Sequence, residues 1–290
     1  MSRLLTVSLI SVLLLSGLIY TSSATSPEKG QAGSATGLCQ VNVTFQSGPF
    51  QLYGVIYYPT NISTPLPGVV FCEGTAGYVS MYSWLPQAIA ADGYVAFIFD
   101  FPGQGRSDGL HPIHSVYFPR LNLYLRFGSF HEATLHYLNG DCVQATKDAI
   151  TYLTTESPVA SLVDSTRIGL IGHSLGGLVV TDTASQDPRV NAVVALSHAT
   201  PSSVKNITVP LQLIGGAFDV TPASKSIPVL LHSYTNANAP KEVVFIAKGT
   251  HLGFTTALGP LCPCPEWQKP CCLNYVLGWF DWFLKGDPQA

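Results

Sequence analysis

The sequence predicts an α/β fold, a mostly parallel central sheet flanked by helices, on three observations. Six short apolar runs recur, at residues 69–71, 95–99, 168–171, 193–196, 211–214 and 243–246. They are nearly continuous in apolar character, as strands buried on both faces are. Helical stretches separate most of them, and strands alternating with helices make a parallel sheet covered on both sides. Hydrophobic residues make up 47% of the 290-residue chain and charged residues 11%, which suits a large buried core.

The elements follow in order. Residues 41–45 and 52–58 alternate polar and apolar side chains, so they are read as strands with one wet face, an antiparallel entry pair. Helices are expected over 82–91, 142–153, 175–185, 224–234 and 275–284. In the second of these, Cys142, Thr146, Ala149, Ile150 and Leu153 recur at helical spacing. Residues 101–138, after the fourth strand, show no clean strand and only a broken helical pattern. That is long for a connection, and the segment is read as a lid-like insert. Its Tyr117, Phe118, Tyr124, Phe127 and Phe130 would either roof an apolar cleft or pack over the core. No internal repeat is visible.

The amino terminus bears on compartment. Arg3 precedes an uncharged apolar stretch from Leu4 to Tyr20, and small residues follow up to Ala24. This is the pattern of a secretory signal over 1–24, or of an N-terminal anchor if it is not cleaved. Residues 25–38 read as a flexible leader, leaving 39–290 as one domain. Export is therefore expected, with a membrane contact only through an uncleaved N-terminal segment. Sequons at Asn42, Asn61 and Asn206 are compatible with export. The net charge of −3, with Lys and Arg scattered, argues against nucleic acid as a partner.

Gly172-His173-Ser174-Leu175-Gly176 is the strongest chemical signal. It follows a buried strand and precedes a helix. A serine on such a strained turn needs neighbours without side chains, and the turn lifts its Oγ above the sheet's carboxyl edge. Ser174 is the expected nucleophile, and the Leu175 N–H the expected first oxyanion donor. The partners should follow in the order acid, then histidine. Asp219 lies just past the strand 211–214, although Asp there could also cap a helix. Asp182 and Asp187 are rivals in order, on or beside the nucleophile's own helix. His251 sits in a glycine-flanked loop after the last strand, whereas His232 falls within an expected helix. The second oxyanion donor is expected in the loop after strand 69–71, at Thr75 with Ala76 next. Glu73 is read as an exposed loop carboxylate.

With these residues the chain resembles the α/β-hydrolase superfamily, and within it the dienelactone hydrolase-like esterases and the cutinase and polyester hydrolases. The similarity spans nearly all of 66–284 outside the insert. It includes Glu73-Gly74-Thr75-Ala76, Trp84, Gly172 to Gly177, Val209-Pro210, Pro240-Lys241 and the closing Trp282-Phe283-Leu284-Lys285-Gly286-Asp287. The resemblance implies an α/β-hydrolase fold and ester hydrolysis through an acyl-enzyme, by a monomer that needs no cofactor and no metal. Its substrate would be a small or polymeric ester. Two departures stand out. Thr75 replaces the aromatic that polyester hydrolases carry at the oxyanion position, and His198 replaces a tryptophan just after the strand that follows the nucleophile helix. His198 would stack on an acyl group or bond a neighbouring backbone. The turn Asp100-Phe101-Pro102-Gly103-Gln104-Gly105-Arg106-Ser107 resembles other esterase and peptidase branches. An exported acyltransferase or serine aminopeptidase would keep the same triad. A non-catalytic binding protein would be expected to have lost one of its members.

Seven cysteines include the cluster Cys262, Cys264, Cys271 and Cys272, placed just before the last expected helix. The spacing lacks the paired C-x2-C of structural zinc sites, so disulfides are expected, with the pairing left open. A cross-link there would hold the His251 loop. Cys72 and Cys142 lie in apolar runs and read as buried thiols. His111 with His114, and His131 with His136, lack a further ligand at metal-binding spacing.

Overall fold

The computed structural model describes residues 20–21, 37–109, 115–118, 123–126, 129–219, 226–256 and 265–289. The expected signal and leader lie almost wholly outside them. Eight strands form the central sheet: β1 (Leu38–Ser47), β2 (Phe50–Pro59), β3 (Leu66–Cys72), β4 (Val95–Phe99), β5 (Val163–His173), β6 (Val190–Leu196), β7 (Leu211–Gly216) and β8 (Lys241–Ile246). Their spatial order is β8-β7-β6-β5-β3-β4-β2-β1. The pairs from β8 through to β4 are all parallel. Only β1 with β2, and β2 with β4, run antiparallel.

The strand sequences account for this arrangement. All five residues of β4 are buried, as both faces of an interior parallel strand require. At the edge, β1 alternates exposed and buried residues towards its end, so one of its faces meets solvent. On one side of the sheet pack α1 (Trp84–Ala91) and α6 (Gln268–Phe280), with Leu85, Ile89, Cys272, Val276 and Phe280 in a single apolar cluster. On the other side lie α3 (Asp141–Thr151), α4 (Leu175–Ala184) and α5 (Ser226–Asn236), contributing Cys142, Ala149, Ile150, Val179, Val180 and Leu230. The result is three layers. Each fully buried large apolar side chain contributes about 1.5–3 kcal/mol relative to its exposure.

Two expectations are corrected. The insert does contain regular structure: Ser115–Phe118 and Leu123–Arg126 pair antiparallel, and α2 (Ser129–Leu138) follows. Four-residue strands are too short to show a period in sequence. The side chains of the expected aromatic roof lie outside the described residues. The last helix also begins earlier than expected, at Gln268, so Cys271 and Cys272 are helical. Pro270 stands in its first turn, where proline is tolerated because that N–H needs no intrahelical acceptor. Cys271 and Cys272 carry free thiols, while Cys262 and Cys264 lie outside the described residues. Cys72 and Cys142 are buried free thiols.

Candidate active site

Four loops meet at the carboxyl edge of the sheet. Ser174 stands at the N-cap of α4 with φ 56° and ψ −113°, a positive-φ backbone in which a non-glycine residue is strained. Its N–H donates to the Leu196 carbonyl at 2.9 Å, which ties the turn to β6. A Cβ at Gly172 would overlap the Gly176 carbonyl, and one at Gly176 would overlap the Cys72 carbonyl. The two glycines thus let α4 start against the end of β3. Leu175 is the first residue of that helix, and first-turn N–H groups lack an intrahelical acceptor.

Asp219 follows β7 in a turn closed by its own N–H donating to the Gly216 carbonyl at 3.0 Å. The neighbouring Phe218 N–H donates to the Gly249 carbonyl at 2.7 Å, so the turn is laced to the loop after β8. That loop carries His251. Its Nδ1 lies 2.7 Å from Asp219 Oδ2, and its Nε2 lies 3.0 Å from Ser174 Oγ. The Asp219 side chain is fully buried, whereas the imidazole is 13% exposed. With the carboxylate accepting from Nδ1–H, the Nε2 lone pair faces the serine proton. Of the rivals, Asp182 accepts from Tyr137 and Ser203, Asp187 pairs with Arg189, and His232 lies in α5.

The loop after β3 holds Gly74, Thr75, Ala76 and Gly77 in a turn closed by Gly77 N–H to the Gly74 carbonyl at 3.0 Å. Ala76 takes φ 56°, and Thr75 and Ala76 are both partly exposed. Glu73 is not the exposed carboxylate expected from sequence: it is fully buried. The Phe101 N–H and Gln104 Nε2 both donate to its Oε1, at 3.0 and 2.9 Å. Burial first, then the nearby Asp100 carboxylate, raises its pKa well above the ordinary 4.5. Asp100 in turn accepts from Val79 N–H at 2.6 Å and Arg106 N–H at 2.7 Å. This pair therefore joins the loop after β3 to the turn after β4.

His198, in the loop after β6, accepts the Ala199 N–H on Nδ1 at 3.1 Å, one of the two roles expected of it. His136 bonds Asp141 at 2.7 Å and the Gly109 carbonyl at 2.9 Å. Among the described residues no three His, Cys, Asp or Glu side chains are placed to hold a metal ion. Sequence reasoning passed over three residues. His173 lies beside His251 with ring centroids 4.7 Å apart and planes tilted by 49°, Tyr82 bonds His173, and Gln268 grips the His251 loop. Only His173 had a local signal, its place inside the serine motif.

The sequence model of the PETase family, described as PET hydrolase-like, matches residues 139–287, more than half of the chain. The chain belongs to the PET hydrolase-like family. The chain is 24% identical over 238 residues to bis(hydroxyethyl) terephthalate hydrolase of Streptomyces coelicolor, covering 81% of this chain and 63% of that one. It is 28% identical over 200 residues to cutinase est2 of Thermobifida alba, covering 67% of this chain and 54% of that one. This PET hydrolase-like chain thus spans less than two thirds of the length of both relatives. A putative dienelactone hydrolase from Klebsiella pneumoniae shares the fold with a TM-score of 0.66 at 17% identity, over 85% of this chain and 99% of that one.

Proposed function

We propose that this chain is a serine esterase that hydrolyses carboxylic esters through an acyl-enzyme on Ser174. The observation that carries the reading is the single imidazole of His251 held between buried Asp219 and Ser174 Oγ, at 2.7 and 3.0 Å. His251 Nε2 takes the Ser174 proton as Oγ adds to the ester carbonyl carbon. The negative oxygen that results is stabilised by the N–H groups of Leu175 and Thr75. His251 then returns the proton to the departing alcohol oxygen, and water repeats the sequence to release the acid. Asp219 stays ionised and favours the imidazolium that forms between these steps. In this reading Ala76 and His198 contact the acyl group.

The names of the relatives, a terephthalate diester hydrolase and cutinases, favour diesters and polyesters as substrates. Phe218 and Leu252, the neighbours of Asp219 and His251, are exposed apolar side chains and would suit such a surface. The apolar N-terminal stretch supports export. Among the described residues no helix is long and apolar enough to cross a membrane. The test combines a fluorophosphonate probe with p-nitrophenyl esters from acetate to palmitate and with bis(hydroxyethyl) terephthalate. The parent should take one probe molecule and turn over esters, and Ser174→Ala should do neither. Full labelling of Ser174→Ala would overturn the assignment.

A further inference from the structure

We propose that Tyr82 and His173 are positioning residues, which lock the backbone of the general base to the oxyanion loop through one directed chain of hydrogen bonds. The inference rests on the esterase reading of Ser174 and extends it. Three contacts form the chain. His173 Nε2 lies 3.1 Å from the His251 carbonyl oxygen, His173 Nδ1 lies 3.0 Å from Tyr82 Oη, and the Gly74 N–H donates to Tyr82 Oη at 3.2 Å.

With a neutral His173, only one assignment of protons satisfies all three. A carbonyl oxygen can only accept, so Nε2 of His173 must carry a hydrogen. In a neutral imidazole that leaves Nδ1 as a lone pair, which must accept the Tyr82 hydroxyl proton. With its proton committed there, the phenol oxygen accepts from Gly74. Each bond fixes the direction of the next. The protonation states agree: burial, and secondly the neighbouring His251, hold the His173 pKa well below 6.5. Burial likewise pushes the Tyr82 phenol up, so it keeps its proton.

The chain also has no slack. His173 and Tyr82 are 1% and 3% exposed, so no water replaces either partner without a cavity opening. A Cβ at Gly74 would lie 2.6 Å from Tyr82 Oη and 3.2 Å from His173 Nδ1, so the loop approaches this closely only as glycine. The two ends of the chain act on the same intermediate. His251 moves its proton, and the residue after Gly74 offers its N–H to the oxygen. Other bonds tie the neighbouring segments together, including Thr256 N–H to the Met81 carbonyl at 2.8 Å. Tyr82 with His173 is the connection that reaches the residue beside Thr75 and the backbone of His251 itself.

The test uses the full chain and three variants. Tyr82→Phe keeps the ring and removes the hydroxyl. His173→Gln keeps an N–H that reaches the His251 carbonyl, and His173→Leu removes it. Each is assayed for probe labelling at Ser174, for kcat and KM on one p-nitrophenyl ester, and for binding of a trifluoromethyl ketone. That ketone accepts Oγ and becomes an oxyanion, so it reports the alignment of base and donors together. Tyr82→Phe should label fully but lose about three- to tenfold in kcat with KM unchanged, the size expected for one neutral hydrogen bond. Its affinity for the ketone should fall by the same factor. His173→Gln should retain more activity than His173→Leu. Parent kcat and ketone affinity in Tyr82→Phe overturn the inference. So does an equal loss in the two His173 variants, a comparison that decides the matter if Tyr82→Phe does not fold. A parent that takes no probe at Ser174 defeats the esterase reading itself, and is told apart from these outcomes by the labelling alone.

Discussion

Gln268 meets the backbone of Thr250 twice: the Thr250 N–H donates to Oε1 at 2.9 Å, and Nε2 donates to the Thr250 carbonyl at 2.9 Å. A side-chain amide thus takes the place of a neighbouring strand, immediately before His251. Gln268 is fully buried, and a Cβ at Gly253 would overlap its amide, so the loop closes around it. Gln268→Ala should leave a buried N–H and carbonyl unpaired, at a cost of about 1–3 kcal/mol. We expect a lower urea midpoint together with a fall in kcat, because the freed loop carries the base. A variant with the parent midpoint and parent turnover would refute this clamp.

Glu73 gives a dependence on pH with a defined sign. Its pKa is raised above the ordinary 4.5 by burial and by Asp100, so the folded chain holds a proton that the unfolded chain releases. Between those two values the native state binds more protons, and stability falls as pH rises. The contribution is fully present below the unfolded value and is lost as pH climbs through the folded one. Glu73→Gln mimics the protonated acid: its carbonyl oxygen can still accept from Phe101 and Gln104. Denaturant midpoints from pH 4 upward should therefore decline less in the variant than in the parent, by about 1.4 kcal/mol for each unit of the shift that is crossed. Parallel pH curves for the two proteins would show that Glu73 is ionised in the folded chain.

Gly176→Ala tests the seam between α4 and β3. The new methyl would overlap the Cys72 carbonyl, and the Glu73 carbonyl lies close by. Backbone cannot swing aside as the end of a side chain can. We expect about 1–3 kcal/mol of destabilisation from the forced shift. Because the same seam sets the distance between the Leu175 N–H and the loop of Thr75, kcat should fall as well. Thermal unfolding and ester turnover check both effects, and an unchanged melting temperature would contradict the packing.

Ser174, Asp219 and His251 were legible because each carries a local mark, a glycine-flanked turn or a loop at a strand's carboxyl end. Their chain order, serine then acid then histidine, each just past a buried strand, pointed to one carboxyl edge of a parallel sheet. The supporting residues carry no such mark. Tyr82 and His173 are 91 positions apart, and nothing about a tyrosine in a short helix announces its partner. Glu73 was misread because glutamate is seldom buried. Its burial depends on Phe101 and Gln104, 28 and 31 residues away, folding back over it. Gln268 was passed over for a related reason. The last helix was expected only from 275, which left Gln268 outside it, whereas the first turn of a helix admits Pro270 without loss of a hydrogen bond.

Because His251 follows β8, the pairing of Ser174 with its proposed base must wait for strands made well after the serine. Ser174 leaves the ribosome 77 residues ahead of the imidazole proposed to activate it. Chains grow at about 5–20 residues per second, so a nascent polypeptide carries a bare, unassisted serine for several seconds. Release of the carboxyl-terminal segment bearing Gln268 then completes the loop clamp. On the esterase reading, hydrolytic power is thereby withheld until β8 and the loop that follows it have emerged and folded.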